Sequence, residues 1–140
     1  MVTFFSEVPD WEFPLKDDEI LSWILKLSKL EKKEIVDINY KFVTDNQLLQ
    51  MNKVFLNHNY YTDVITFSNN RGGRISGDIA ISIDRIYDQS KDLKIEFLDE
   101  LKRVMIHGIL HICGYQDSSE EEKKQMREKE NYYLSIYPTR

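Results

Sequence analysis

V-M-I-H-G-I-L-H-I-C-G-Y-Q-D, running from Val104 to Asp117, is the segment around which the 140-residue chain is organised. From Val104 to Cys113 it carries no charge, although 31% of all residues are charged, so it reads as a helix buried on nearly every side. Two histidines lie inside it. His107 and His111 are four residues apart and so share one face on successive turns, where nitrogens of both rings can reach a single ion. Gly114 tolerates positive φ and can end the helix, and Asp117, three residues on, brings a carboxylate on the returning chain.

Length and a 41% hydrophobic content fit one ordinary domain, residues 1–140, able to bury about two-thirds of its unfolded surface without a disulfide or a structural metal. The single cysteine, Cys113, has no internal disulfide partner, which fits a reducing compartment. No basic-then-apolar leader and no membrane-length apolar run is present, so the expectation is a cytoplasmic protein without a membrane partner. The net charge of -5 counts mildly against a nucleic-acid partner. Its distribution softens that, because Glu7, Asp10, Glu12, Asp17, Asp18 and Glu19 against Lys16 account for the whole excess and the remaining chain is balanced. No basic groove is visible in the sequence.

Reading outward, Val2 to Phe5 is a short β-prone run, and Pro9 and Pro14 bound a connector. Asp17 or Asp18 can cap a helix to about Lys29 whose apolar stripe is Ile20, Leu21, Ile24, Leu25 and Leu27. Ile35 to Val43 alternates as a half-buried strand does, and Asp45 is the expected cap of a helix to about Phe55, burying Leu48, Leu49 and Met51. Leu56 to Tyr61 is a polar, aromatic loop containing His58. Val64 to Phe67 and Ile75 to Ile83 read as two strands of a hairpin with a longer loop. Gly77 within the second suggests a bulge or a close backbone approach, and Asp78 faces either a cleft or solvent. Asp84 can cap a helix to about Lys91. The histidine helix starts near Ile95, with Phe97, Leu98, Leu101, Val104 and Met105 as its stripe, Asp99, Lys102 and Arg103 opposite, and both histidines on the shoulder. Ser118 with Glu121 reads as a capping box opening a last helix to about Tyr133.

An H-x-x-x-H pair is weak by itself. The glycine seven residues and the carboxylate ten residues after the first histidine strengthen it, because they reproduce the ligand spacing of metzincin proteases, H-E-x-x-H-x-x-G-x-x-H. Two imidazoles and a carboxylate suit zinc and leave the fourth tetrahedral position to water, whose pKa such an ion lowers to about 7. The plainer reading keeps His107 and His111 as core histidines bonded to backbone and makes Asp117 a cap for the last helix. Cys113 points more than a quarter turn away from the histidine face and is read as packing, not as a ligand. Position 108 counts against a peptidase, since zincins place their general base there and this chain has Gly108. A substrate whose hydrolysis leans on polarisation of a phosphoryl oxygen fits better.

His107-Gly108-Ile109-Leu110-His111-Ile112-Cys113-Gly114-Tyr115-Gln116-Asp117 resembles the H-G-x-L-H-L-x-G-Y-D-H signature of the YbeY family, the bacterial rRNA maturation endoribonucleases. Thr62 to Phe67 resembles that family's T-D-V-L-S-F strand and Gly77-Asp78-Ile79 its G-D-I segment, in the same order, so the resemblance covers most of the chain. It implies an α+β fold, with a small mixed β-sheet packed against several helices and one zinc ion in a cleft. It further implies a single-strand-specific endoribonuclease whose partners are rRNA and the small ribosomal subunit, acting in 3′-end maturation and ribosome quality control. His107 and His111 match the first two metal ligands of the family, and Asp117 stands where its third is usually histidine. Leu56 stands where the family commonly has arginine. His58, two residues on, is a weak candidate for phosphate donor or proton carrier. The alternatives are a metal-containing ribosome-assembly factor with little catalysis and a metallopeptidase-like hydrolase.

Overall fold

The computed structural model describes residues 1–58 and 61–138. The middle of the expected loop at 56–61 therefore lies partly outside the described residues. The strands are β1 (Val2–Ser6), β2 (Glu34–Val43), β3 (Val64–Ser68) and β4 (Arg74–Ser82). The helices are α1 (Asp17–Leu30), α2 (Asp45–Leu56), α3 (Ile83–Leu93), α4 (Phe97–Cys113) and α5 (Glu120–Ser135). The fold is α+β. The sheet order is β1-β2-β4-β3, with β1 and β4 both parallel to β2 and β3 antiparallel to β4. β3 and β4 are the expected hairpin.

Strand alternation sorts the two faces of this sheet. Ile38, Tyr40 and Phe42 of β2, with Ile75, Ile79 and Ile81 of β4, are buried in one core with Ile20, Trp23, Ile24 and Leu27 of α1 and with the apolar face of α4. A smaller cluster of Val43, Leu48, Ile65 and Ala80 lies beneath α2. The α1 stripe follows the helical spacing through Trp23, which is buried, whereas the expected Leu25 is off that face and 52% exposed. Leu98 likewise proves exposed on α4.

Helix starts fall close to the expected positions but use other residues. Thr44, not Asp45, caps α2 and forms a capping box with Gln47, while Asp45 pairs with Arg85 through Oδ1–Nε at 3.1 Å and Oδ2–Nη2 at 3.2 Å. Ser82, not Asp84, caps α3, and the Asp84 carboxylate accepts the Asp45 N–H instead. The Ser-x-x-Glu pattern before α5 fits two registers, and the helix takes the later one, Ser119 with Glu122. That leaves Asp117 and Ser118 outside the helix. At the start of α1, Asp17 and Asp18 occupy the first turn behind Lys16, and no side chain caps Lys16's position.

α4 packs on β3 and β4 and against α3 and α5. Its closeness to β4 depends on two glycines. A Cβ at Gly77 would lie 2.3 Å from the Phe67 carbonyl oxygen and 2.9 Å from Ile112 Cδ1, so Gly77 marks a close approach. It marks no bulge: the register is regular through Gly77, and the irregularity sits at Ile35/Asp37 of β2. On the helix side, a Cβ at Gly108 would lie 2.7 Å from Ile79 Cγ2.

Gly77→Ala is expected to destabilise by about 3 kcal/mol or more, because the clash is with backbone that cannot rotate away. Gly108→Ala costs less, since the Ile79 side chain can shift. Urea denaturation midpoints check the order, and equal midpoints for both variants and the parent would contradict this packing.

Candidate metal centre

α4 presents His107 and His111 on successive turns, with ring centroids 4.6 Å apart and planes nearly perpendicular. The helix ends at Gly114, whose φ of 115° only glycine adopts easily, with the Tyr115 N–H closing onto the Leu110 carbonyl at 3.1 Å. The turn beyond is fastened down. Tyr115 donates its hydroxyl to Glu31 Oε1 at 2.6 Å, and Glu31 also accepts from Lys129 Nζ at 3.1 Å and from the Tyr133 hydroxyl. Burial would raise the Glu31 carboxyl, but these three donors together hold it below its ordinary range. One glutamate at the end of α1 thus ties the post-helix turn to α5. The Asp117 carboxylate swings back over α4 as a result, with Oδ2 lying 3.3 Å from His107 Nε2 and 3.4 Å from His111 Nε2.

The other nitrogen of each ring is already committed. His111 Nδ1 lies 2.9 Å from the Tyr115 carbonyl oxygen, which can only accept, so Nδ1 carries the proton and Nε2 keeps its lone pair. His107 Nδ1 lies 2.7 Å from Glu130 Oε2. Burial raises the Glu130 carboxyl, but His107 and Arg103 outweigh it, so the group is held below its ordinary value and stays an acceptor. The two remaining ring nitrogens, both Nε2, thus lie beside the same Asp117 oxygen. The three ligand atoms lie within 4.8 Å of one another, as one ion requires, and an acceptor for the other ring N–H on the far side of each imidazole is how metal-binding histidines are usually held. Two imidazole nitrogens and a carboxylate oxygen fit a divalent ion of the zinc type.

Glu130 was not legible as part of the site. The signal available was its position on the buried stripe of α5 with Met126 and Tyr133, where a glutamate needs a partner. Arg103, expected to face solvent, turns inward. It pairs with Glu100 through Nε–Oε1 at 2.9 Å and with Glu130 through Nη1–Oε1 at 3.3 Å, and Gln89 extends the network from Glu100 to Asp63. A fully buried Glu100 explains the reversal, because an unpaired carboxylate there would be costly.

The histidines and Asp117 open onto a cleft of about 420 Å³ lined also by Asn52, Leu56, His58 and Thr62 to Thr66. His58 is exposed at its rim. Asp117 is not a helix cap, and Cys113, half-buried, is not among the converging groups. Asp78 faces a different groove on the other side of the sheet, beside Asn39, Lys41 and Phe5. Among the described residues no helix is long and apolar enough to cross a membrane.

A family model described as Endoribonuclease YbeY matches residues 9–137. Among curated relatives, the endoribonuclease YbeY of Cytophaga hutchinsonii is 46% identical over 137 residues, covering 96% of this chain and 94% of its own length. That of Karelsulcia muelleri is 44% identical over 135 residues, covering 96% of this chain and 94% of its own. A solution structure of a Thermotoga maritima protein superimposes with a TM-score of 0.64 at 27% identity, covering 96% of this chain and 87% of that one.

Burial lowers the His107 pKa, but the Glu130 hydrogen bond and charge, aided by Asp117, raise it above its ordinary 6.5. Protons therefore compete with metal from above that value, and Zn²⁺ affinity is expected to fall as pH drops through neutrality toward about 5. Competition titrations at several pH values check this, and a flat profile would contradict histidine ligation. Glu130→Gln keeps the shape but removes the charge. It is expected to weaken Zn²⁺ binding at about pH 8 by roughly 10-fold and to move the acid loss to lower pH.

Proposed function

The chain belongs to the YbeY endoribonuclease family, and from that premise we propose that it is a zinc-dependent endoribonuclease that cuts single-stranded RNA. We place its work in 3′-end maturation of small-subunit rRNA and in ribosome quality control, with rRNA and the small subunit as its cytoplasmic partners. The observation that carries the metal-dependent reading is the convergence of both Nε2 atoms on one Asp117 oxygen, each ring fixed by a hydrogen bond at Nδ1.

His107, His111 and Asp117 would hold the ion, with Glu130 and the Tyr115 carbonyl keeping both imidazoles in the ligating tautomer. A zinc ion held there supplies a Lewis acid to a phosphoryl oxygen and an acidified water at neutral pH. The open cleft beside the ligands leaves room for a splayed, unpaired strand, consistent with single-stranded substrate. His58, on the rim, is the weak candidate for carrying a proton to the leaving oxygen. The peptidase alternative loses its ground at Gly108. Position 108 faces the Ile79 side chain, with a Cβ there 2.7 Å from Ile79 Cγ2, so a glutamate at that position would have to push Ile79 aside and would face the sheet. The assembly-factor alternative draws support from one fact: apart from the histidines, the described lining of the cleft offers no cationic side chain.

Purified protein incubated with rRNA precursor is expected to cleave it, and both a chelator and His111→Ala are expected to abolish cleavage. Loss of rate by a factor of about 100 or more is the size expected for removing one ligand of a metal that activates the nucleophile. Cleavage persisting unchanged in His111→Ala would point to a contaminating nuclease. Binding of rRNA without any cleavage would favour the assembly factor.

A further inference from the structure

A strand cut at the metal centre has to continue past it on both sides. On one side lies the cleft with His58 at its rim, where Asp63 and Asp117 are negative and neither lysine nor arginine is present among the described lining residues. On the other lies a second groove of about 550 Å³ between α4 and α5, which shares Asp63, His107 and Asp117 with the first. Its lining differs in charge. Arg103, Lys123, Lys124 and Arg127 stand there against Asp63, Asp117, Glu120 and Glu130.

These charges are unequal in what they leave for a ligand. Glu130 is buried and spent on Arg103 and His107, and Asp117 belongs to the metal-binding set. Lys123 and Arg127, by contrast, are each 59% exposed and meet their carboxylates, Glu120 and Glu130, only at 3.9 Å. Ion pairs that long and that exposed are worth little and yield readily to a phosphate. Positions 123, 124 and 127 follow one another along a single helix, with a rise of about 6 Å from the first to the last. Their charged ends line the same groove.

We propose that the α4–α5 groove is the phosphate-binding track for the RNA flank on the side of the metal centre that His58 does not line, with Lys123, Lys124 and Arg127 as its cations. This rests on the endoribonuclease reading above and adds to it where the strand runs. It also accounts for an acidic chain acting on RNA. Three exposed cations on one helix stand beside the candidate metal centre, although the chain as a whole is acidic.

The test is binding of a 5′-labelled single-stranded oligoribonucleotide by fluorescence anisotropy across a salt series, with the oligonucleotide checked for integrity on a gel after each titration. Lys123→Ala/Arg127→Ala is expected to raise Kd roughly 10- to 30-fold near 0.1 M salt and to lower the slope of log Kd against log salt by about 1.4, two phosphate contacts at about 0.7 each. The charge-keeping pair Lys123→Arg/Arg127→Lys is expected to restore both. Lys26→Ala/Lys29→Ala on α1, an equal loss of charge outside both grooves, is expected to leave the slope unchanged. If the α5 pair leaves Kd and slope at parent values, or if the α1 pair costs as much, the track is overturned while the endoribonuclease reading stands. Parent protein that binds no RNA at any salt would overturn both.

Discussion

How near α4 can lie to the sheet is decided at two positions without side chains. Gly77 on β4 takes the close approach of the Phe67 carbonyl and of Ile112, and Gly108 on α4 takes that of the Ile79 side chain, so a methyl group at either would force a neighbour to move. Because α4 sits that close, Met105, Ile106, Ile109 and Ile112 are buried, and the histidines between them come to the edge of the contact. They are neither sealed in the core nor loose in solvent. The same contact bears on chemistry, since the position after the first histidine, where a zinc peptidase carries its carboxylate, is Gly108 and faces the Ile79 side chain.

Two acids, Glu130 buried and Glu31 half-buried, then hold what the packing has brought together. Glu130 fixes one imidazole and is itself held by Arg103, which Glu100 holds in turn. Glu31 pins the turn whose carbonyl fixes the other imidazole. Buried ion pairs of this sort are poor sources of stability, because desolvation consumes most of the attraction. Their effect here is orientation. Each commits one ring nitrogen, and the two Nε2 atoms that remain lie beside the same Asp117 oxygen.

What could be read from the sequence was what lies within one helical repeat. The four-residue spacing of His107 and His111, the stop at Gly114 and the return of Asp117 are local, and the structure brings those groups together as the spacing suggested. The hairpin of β3 and β4 was legible from alternation. Contacts made across the chain were not. Glu130 meets His107 from 23 residues away and Glu31 meets Tyr115 from 84, and nothing in a periodic pattern names such partners. Arg103 was placed with the solvent-facing residues because charge is normally outside, and the buried Glu100 that draws it in is itself an exception to that rule. The caps were misplaced by one or two residues where serines, threonines and acids adjoin, since each can accept the same N–H.

Cys113 sits two residues from a candidate ligand, a place where a free thiol would ordinarily endanger a zinc site. Burial, with a smaller push from the Glu31 charge, takes its pKa up to about 11. At neutral pH the thiol form therefore dominates, and the thiolate, which peroxide and alkylating agents attack, is scarce. The thiol beside the candidate centre is thereby kept mostly in its less nucleophilic, protonated form.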